Sequence, residues 1–315
     1  MRSTSHFHVN PDPCSYKSNV SIDCLIVRKV NTMGKIKIFT DSTSDLPSDL
    51  VAKYNIGVIP LYVVFNDQTF RDGMDLSPPE LYSKVTQTGR LPKTAAPSPA
   101  DFISAFSPYV DAGDQIIYIS LSSELSSTYQ NAIIASGEFP EGSVHVFDSL
   151  NLSTGIGIQV LKAAKAAEAG QSAAQILSLL EKIRPNVDTE FVIDSLEYLY
   201  KGGRCSGMQN LVGSLLKIRP VIKVLQGKMT PAYKVRGSRD KALDQMVNNA
   251  LSNMDKMDKD TLFVVHTLAE QDAIAMSQLI KERTGVSEVL LSDAGCVICS
   301  HCGPKTIGII YLTEK

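Results

Sequence analysis

Residues 114–135, DQIIYISLSSELSSTYQNAIIA, give the clearest indication of the fold class of this chain. They begin at residues 116–119 with an apolar run of β-branched and aromatic residues, which is typical of a buried strand. Six hydroxyl side chains follow within the nine residues 120–128, and apolar residues then recur at helical spacing. A strand, a polar turn and a helix in this order predict a βα corner, which is where open α/β sheets bind their ligands.

The polar turn within this segment favours a negatively charged ligand. The unpaired N–H groups of a first helical turn and the positive end of the helix dipole both attract anions. Serine hydroxyls add further donors, so the preferred ligand class is a carboxylate or a phosphate. N-capping by serine is the alternative explanation, but it accounts for only one or two of the six hydroxyls.

Two other segments repeat the pattern of a strand followed by Asp, Ser and Thr. They are KIKIFTDSTSDLP, which begins at Lys35, and SVHVFDSLNLSTG, which begins at Ser143. Strands that alternate with helices indicate a parallel sheet, in which the carboxyl ends of the strands lie at one edge. We therefore expect the three polar turns to lie together and to contain the ligand site. Residues 57–65 are predicted to form one further strand, residues 67–75 a turn, and residues before Thr94 an exposed loop.

The pattern changes beyond Arg184-Pro185, where strands become more frequent. The predicted strands are 189–194, 219–225, 229–235, 261–266, 287–291 and 306–312, with helices at 242–254 and 270–284. Two of these strands flank Gln226-Gly227, which predicts a hairpin. The predicted fold class is therefore α/β. An N-terminal domain (35–184) with a mainly parallel sheet and flanking helices precedes a C-terminal α+β domain (185–315) with a mainly antiparallel sheet. Residues 1–34 are expected to be a disordered or non-native extension.

The composition argues against several classes of protein. The chain has 315 residues, a net charge of −2 and a pI near 6.2, which argues against general binding of nucleic acid. No run approaches the roughly 18 apolar residues of a membrane span, so we expect no stable membrane insertion. Six cysteines without a regular spacing do not form a disulfide framework, and we expect a cytoplasmic protein.

Two short motifs in the C-terminal half could carry chemistry. Cys296, Cys299 and Cys302 have a spacing that could bind zinc or an iron–sulfur cluster, but a fourth ligand is missing, so we expect no metal. His301 lies beside them, before a Gly-Pro loop that could bring it to a ligand. The second motif, KGGR, ends at Arg204. Its two glycines permit a turn with positive φ that brings the lysine and the arginine together. A helix C-cap would explain the glycines but not the arginine.

These motifs, taken in order from about Ile36 to the end, resemble the DegV family of bacterial fatty-acid-binding proteins. The matching segments are FTDSTSDLP, IPL, the Asp-Gly turn, KTAAPSPADF, ISLSSELSSTYQNA, VFDS, SLEYLYKGGR, RPVIKV with QGKM, KVRGSRDKA and SHCGP. The resemblance implies a two-domain fold that encloses one long-chain fatty acid. It also implies that Thr94 and Ser126 hydrogen-bond the carboxylate, that His301 supports this head group, and that Arg204 is associated with a partner kinase.

The resemblance further implies a carrier that is not itself an enzyme and has no cofactor other than its lipid ligand. A separate dihydroxyacetone-kinase-like fatty-acid kinase would phosphorylate the bound fatty acid for phospholipid synthesis. The sequence departs from the family at Ser127, where a glycine is usual, at Cys302, where a threonine is common, and at Lys305, where a glycine is usual. Ser127 would either add a hydrogen-bond donor or need a different backbone angle.

The residues themselves are compatible with this role but leave two other classes open. A buried carboxylate needs donors, which hydroxyls and helix N–H groups supply, while an acyl chain needs only an apolar tunnel. At about 0.8 kcal/mol per buried CH₂, a sixteen-carbon tail could contribute about 10 kcal/mol. A serine-dependent acyl hydrolase with Ser126 as nucleophile and His301 as base is one alternative, although the sequence lacks a Gly-x-Ser-x-Gly elbow. A sensor of a small phosphorylated metabolite is the other.

Overall fold

The structure, a computed structural model, describes residues 34–205 and 218–314. All of the predicted N-terminal extension except Gly34 lies outside these residues. The strands are β1 (Ile36–Asp41), β2 (Gly57–Ile59), β3 (Tyr62–Phe65), β4 (Gln68–Arg71), β5 (Lys93–Ala95), β6 (Gln115–Ser120), β7 (Val144–Asp148), β8 (Val187–Val192), β9 (Ile218–Leu225), β10 (Lys228–Arg236), β11 (Met257–His266), β12 (Glu288–Asp293) and β13 (Ile307–Thr313). The helices are α1 (Ser48–Lys53), α2 (Pro78–Thr88), α3 (Pro99–Asp111), α4 (Thr128–Ser136), α5 (Thr154–Glu168), α6 (Ala173–Ile183), α7 (Leu196–Gly202), α8 (Arg239–Ser252), α9 (Glu270–Thr284) and α10 (Cys296–Cys302).

A parallel sheet forms the first half of the fold, as predicted. Its strand order is β2-β1-β6-β7, and every neighbouring pair runs parallel. Five of the six residues are buried in each of its central strands, β1 and β6, which is typical of a sheet covered on both faces. Phe102 and Phe106 of α3 pack against Phe39 and Tyr118 on one face. The polar turns that follow β1, β6 and β7 consequently lie side by side.

A small antiparallel sheet of order β4-β3-β5 is the part of the fold that the sequence interpretation missed. The predicted single strand 57–65 divides at Pro60 into β2 and β3, which belong to different sheets. Proline has no N–H group to donate to a ladder, so the chain leaves the parallel sheet there. β4 forms inside the predicted turn, and β5 forms in the predicted loop and places Thr94 opposite Val63.

A six-stranded sheet of order β10-β9-β8-β13-β11-β12 forms the second half. All its neighbouring pairs are antiparallel except β11 and β12, which confirms the predicted mainly antiparallel sheet. The predicted hairpin between β9 and β10 is also present. Its two turn residues, Gln226 and Gly227, have φ values of 49° and 81°, which suit a tight hairpin turn.

Helix α5 lies between the parallel and the six-stranded sheets and contacts strands of both. All of its first eight residues are buried, as expected for a helix that is covered all round in its N-terminal half. A side chain at Gly157 would come within 2.9 Å of the Ser44 carbonyl oxygen, so glycine permits the close approach of α5 to the turn after β1. The predicted domain boundary at residue 184 would place α5 in the first domain. In the described part of the chain, no helix is both long and apolar enough to cross a membrane.

Candidate functional site

The polar turns at the carboxyl edge of the parallel sheet are joined by the buried carboxylate of Asp41. Asp41 Oδ2 accepts hydrogen bonds from the Leu121 N–H at 2.8 Å and from the Tyr118 hydroxyl at 2.9 Å. Burial raises the pKa of Asp41, and its hydrogen bonds oppose that shift. Asp41 therefore connects the turn after β1 to the turn after β6, so that these loops hold a fixed shape beside the site.

A cavity of about 310 Å³ opens beside these turns, between β5, the turn after β6 and α10. Its volume lies at the lower end of the range of about 300 to 1,000 Å³ for small-molecule sites. All five sequence-predicted site residues line it: Thr94, Ser126, Ser127, Arg204 and His301. The remaining lining is mainly apolar and comprises Leu61, Ala95, Ala96, Leu121, Leu125, Leu152, Met229, Val297, Ile298 and Cys302. The cavity thus combines a polar end with an apolar wall.

The side chains of Thr94 and His301 are hydrogen-bonded although 207 positions separate them in the sequence. Thr94 Oγ1 lies 2.9 Å from His301 Nε2. Burial and then the nearby charge of Arg204 lower the pKa of His301 from 6.5 to about 4, so the imidazole is neutral at pH 7. If Nε2 carries the proton and donates it to Thr94, the Thr94 hydroxyl is left free to donate to a ligand.

The other ring nitrogen of His301 lies against α7. Nδ1 is buried and has no hydrogen-bond partner among the described residues. A side chain at Gly202 would come within 2.6 Å of this nitrogen, so glycine at 202 leaves room for the ring. An unprotonated Nδ1 suits this position better than an N–H group would, because a buried unpaired donor is costly. That observation favours the tautomer in which Nε2 donates to Thr94.

Two serines of the polar turn after β6, Ser126 and Ser127, have different environments. The Ser126 hydroxyl is half-buried, lies 2.8 Å from Thr128 Oγ1 and accepts a hydrogen bond from the Thr128 N–H at 3.3 Å. Ser127 occupies the N-cap position of α4, but its exposed side chain makes no capping hydrogen bond. Its φ of −75° is ordinary for any residue, so serine at this position needs no unusual backbone angle.

Arg204 is exposed at the mouth of the cavity. Gly203, with φ of 66°, caps the C-terminus of α7, as the alternative interpretation of the glycine pair predicted. The Arg204 guanidinium then turns back, and its Nη1 donates to the Gly202 carbonyl at 2.7 Å. Lys201 does not line the cavity and instead pairs with Glu197 at 2.7 Å. The motif therefore brings the arginine, but not the lysine, to the site.

The three closely spaced cysteines are buried on α10, which also carries His301 in its last turn. Cys296 donates to the Leu76 carbonyl at 3.1 Å, and burial raises the pKa values of Cys296 and Cys302 to about 12. These thiols are therefore protonated and packed against neighbouring elements. Among the residues that the structure describes, no group of three potential ligand side chains could hold a metal ion.

A second, much smaller cavity extends the apolar wall of the first. The two cavities share Leu152, Ile298 and Cys302, and the second continues among strands of the six-stranded sheet, next to Phe191, Val265 and Ile310. Sequence interpretation did not identify these residues, because an apolar side chain that lines a cavity has the same local pattern as one that fills a core. The site is therefore a polar mouth that leads to an apolar interior.

Comparison with known proteins identifies the family. A model of the DegV family, described as uncharacterised proteins, matches residues 35–314. A DegV domain-containing protein of Caldanaerobacter subterraneus subsp. tengcongensis is 33% identical over 282 residues, which cover 89% of this chain and 99% of that relative. A DegV family protein from Thermus thermophilus, whose structure is described in terms of fatty acid binding, superposes with a TM-score of 0.83 at 33% identity. That alignment covers 89% of this chain and 99% of the other.

A second solved structure agrees with the first. DegV from Bacillus subtilis, described as a fatty acid binding protein, has a TM-score of 0.80 at 28% identity, with coverage of 89% of this chain and 100% of that chain. The match extends over the parallel sheet, the six-stranded sheet and the elements that form the cavity. The chain belongs to the DegV family.

Proposed function

We propose that this protein binds one long-chain fatty acid and presents its carboxylate to a partner fatty-acid kinase. The observation that carries the proposal is the Thr94–His301 hydrogen bond at the polar end of a cavity whose remaining wall is apolar. Fatty acid binding by the T. thermophilus and B. subtilis relatives supports the same ligand class.

The polar end offers donors that suit a carboxylate. With His301 neutral and Nε2 protonated, the Thr94 hydroxyl is available to donate to the ligand. Ser126 lies on the same cavity with a hydroxyl whose only described contacts are to Thr128, so it can turn its proton towards a ligand oxygen. Ser127 would be an additional donor. Hydrogen bonds to an ionised group are shorter and stronger than neutral ones, so few donors suffice to orient the head group.

The apolar wall would supply most of the affinity. Each buried CH₂ group contributes about 0.8 kcal/mol, whereas a carboxylate exchanges hydrogen bonds with water for hydrogen bonds with the protein at little net gain. The head group therefore orients the ligand and the tail retains it. The shared residues Leu152, Ile298 and Cys302 mark the path by which a tail would continue towards the six-stranded sheet.

Presentation to a kinase requires a reactive carboxylate near the surface. Arg204 and Ser127 are exposed at the cavity mouth, whereas His301 is largely buried behind them. Arginine suits recognition of phosphate and of protein surfaces, which supports the proposal that Arg204 contacts a dihydroxyacetone-kinase-like partner and the phosphate that it transfers. We propose that this step occurs in the cytoplasm and that the carrier itself contributes no catalytic group.

The geometry favours binding over hydrolysis. A serine hydrolase needs its nucleophile hydrogen-bonded to a base, but His301 is bonded to Thr94 and Ser126 is bonded to Thr128. A sensor of a phosphorylated metabolite would use the same hydroxyls and Arg204, but it would have no use for an apolar wall that continues into the interior.

Mass spectrometry of the purified protein after denaturation tests the proposal directly. A carrier releases a free fatty acid in about equal amount to the chain, a sensor releases a phosphorylated metabolite, and a hydrolase with a trapped intermediate shows an acyl group on the Ser126 peptide. The kinase step is tested separately by adding ATP and the kinase and measuring acyl phosphate. Delipidated protein that binds no fatty acid of any chain length would contradict the proposal.

A further inference from the structure

Helix α10 is attached at both ends to the small antiparallel sheet. At its N-terminal end, the Cys296 N–H donates to Asp72 Oδ1 at 2.7 Å, and Asp72 directly follows β4. At its C-terminal end, His301 is hydrogen-bonded to Thr94 in β5 at 2.9 Å. β4 and β5 are both paired with β3, so the two attachment points lie on or beside strands of the same sheet.

A second carboxylate attaches the same end of α10 to the parallel sheet. The Gly295 N–H donates to Asp45 Oδ1 at 2.8 Å, and Asp45 lies in the turn after β1. Asp45 Oδ2 accepts from the Ser153 hydroxyl at 2.5 Å, just before α5. Because α10 itself follows β12 of the six-stranded sheet, its first turn is where hydrogen bonds join all three sheets.

The space around Gly295 shows how closely the two carboxylates approach the helix. A side chain at this position would lie 3.1 Å from Asp72 Oδ1 and 3.3 Å from Asp45 Oδ1. Asp72 Oδ2 is buried and has no hydrogen-bond partner within the described ranges. Burial disfavours the ionised forms of both acids and raises their pKa values, while the hydrogen bonds that the acids accept, including those from the first turn of α10, oppose the shift. Apolar residues of similar size would avoid that cost but could not accept the helix N–H groups.

We infer that Asp72 is a positioning residue for His301, because it fixes the start of α10 on the same sheet that carries Thr94. His301 lies five positions after Cys296 on the helix, a rise of about 8 Å, so a displacement at one end is transmitted to the other. The role of His301 towards a carboxylate rests on the proposed function. The attachment of α10 itself depends only on the contacts described above.

Two substitutions of Asp72 distinguish an effect on the position of His301 from an effect on the stability of the whole protein. Asp72→Ala removes the acceptor for the Cys296 N–H, whereas Asp72→Asn keeps an oxygen that can accept it. Each delipidated variant is titrated with palmitate, and the His301 imidazole is followed by ¹⁵N NMR. We expect Asp72→Ala to weaken palmitate binding by about tenfold and to shift the His301 signals. Asp72→Asn should restore both towards the wild type.

Met246→Ala is the matched stability control. Met246 is buried in the cluster beneath α8, away from the cavity, so its truncation should lower the melting temperature without changing palmitate affinity or the His301 signals. If Asp72→Ala does not fold, Gly295→Ala replaces it. Its added methyl group requires Asp72 and Asp45 to shift by a few tenths of an ångström away from the first turn of α10, which should weaken binding in the same direction.

Wild-type affinity and unchanged His301 signals in Asp72→Ala would overturn the inference. The inference would also be wrong if Met246→Ala lost as much palmitate affinity as Asp72→Ala when both variants have the same loss of melting temperature. If the wild-type protein itself binds no fatty acid, the proposed function fails. The His301 signals of the ligand-free variants still determine whether Asp72 positions the ring.

Discussion

Replacing Thr94 by valine removes a single hydroxyl from the polar end of the cavity while leaving the fold in place. Valine has nearly the shape of threonine and a high preference for strands, and β5 pairs only with β3 in the described sheets. The neighbour of Thr94 across the ladder, Val63, is fully buried and apolar and accepts either side chain. The substitution therefore tests the hydroxyl rather than the strand.

The expected loss of affinity follows from two opposing changes. A hydrogen bond to a charged group contributes about 1.5 to 3 kcal/mol. In the variant, however, His301 Nε2 has lost its 2.9 Å partner and can donate directly to the ligand carboxylate, which recovers part of that energy. We therefore expect the lower value, about 1.5 kcal/mol, which corresponds to about tenfold weaker binding.

The ligand-free variant should also lose stability. His301 is left without its hydrogen-bond partner, which costs about 1 to 3 kcal/mol for a buried group. In a protein of this size, each kcal/mol lowers the melting temperature by about 2 to 4 °C. Bound fatty acid should restore part of this loss, because it offers His301 a new acceptor.

Titration of delipidated protein with palmitate, together with thermal melts with and without ligand, measures both effects. Thr94→Ser is the control, because it keeps the hydroxyl and should bind within about threefold of the wild type. Equal affinity of Thr94→Val and the wild type would contradict a role for this hydroxyl in holding the carboxylate. Weakened binding in Thr94→Ser to the level of Thr94→Val would show that the methyl group, not the hydroxyl, matters.

Three further predictions concern the other residues of the site. Ser126→Ala should weaken fatty-acid binding by about tenfold and lower the melting temperature slightly, because the buried Thr128 N–H loses its acceptor while the fold stays intact. An unchanged lipid content after purification of the Thr94→Ala, Ser126→Ala double variant would exclude this assignment. Arg204→Ala should keep near-normal lipid content but form acyl phosphate much more slowly with the kinase and ATP. A large drop in melting temperature with loss of lipid would instead indicate a structural arginine, and unchanged phosphorylation would contradict the partner role. The third prediction concerns pH. The pKa of His301 is about 4 in the folded protein, whereas the ordinary value is 6.5. Between these pH values the unfolded chain therefore binds more protons than the folded protein does. The ligand-free protein should consequently lose up to about 3 kcal/mol of stability as the pH falls from 6.5 to 4. In thermal melts over this pH range, the stability of His301→Gln should depend less on pH than that of the wild type. An equally steep pH dependence in the variant would show that His301 is not its cause.

The parallel sheet could be predicted because its signals are local. β1, β6 and β7 are apolar runs that end in polar turns, and each signal lies within about a dozen residues. The hairpin at Gln226-Gly227 is equally local, since two residues with positive φ determine it. These elements can be predicted without knowing which other elements they pack against.

The small antiparallel sheet could not be predicted in the same way. β4 and β5 are three or four residues long and largely exposed, and they become strands only because β3 lies between them. The sequence pattern therefore predicts a loop at Thr94. It gives no indication of the hydrogen bond to His301, because 207 positions separate the two residues. The resemblance to the DegV family supplied Thr94, Ser126 and His301 as site residues. The structure brings all three to one cavity, and their contacts with a ligand remain a prediction.

If the cavity binds a fatty acid as proposed, the hydrogen bond between Thr94 and His301 also couples ligand binding to folding. Its two residues are 207 positions apart, and the cavity beside them is lined by residues of β5, the turn after β6, β10 and α10. A ligand that binds only this assembled arrangement stabilises the whole chain, by about 2.7 kcal/mol when its concentration is a hundred times Kd. The ligand-free protein would then unfold more often than the ligand-bound protein, and proteases would cleave it faster.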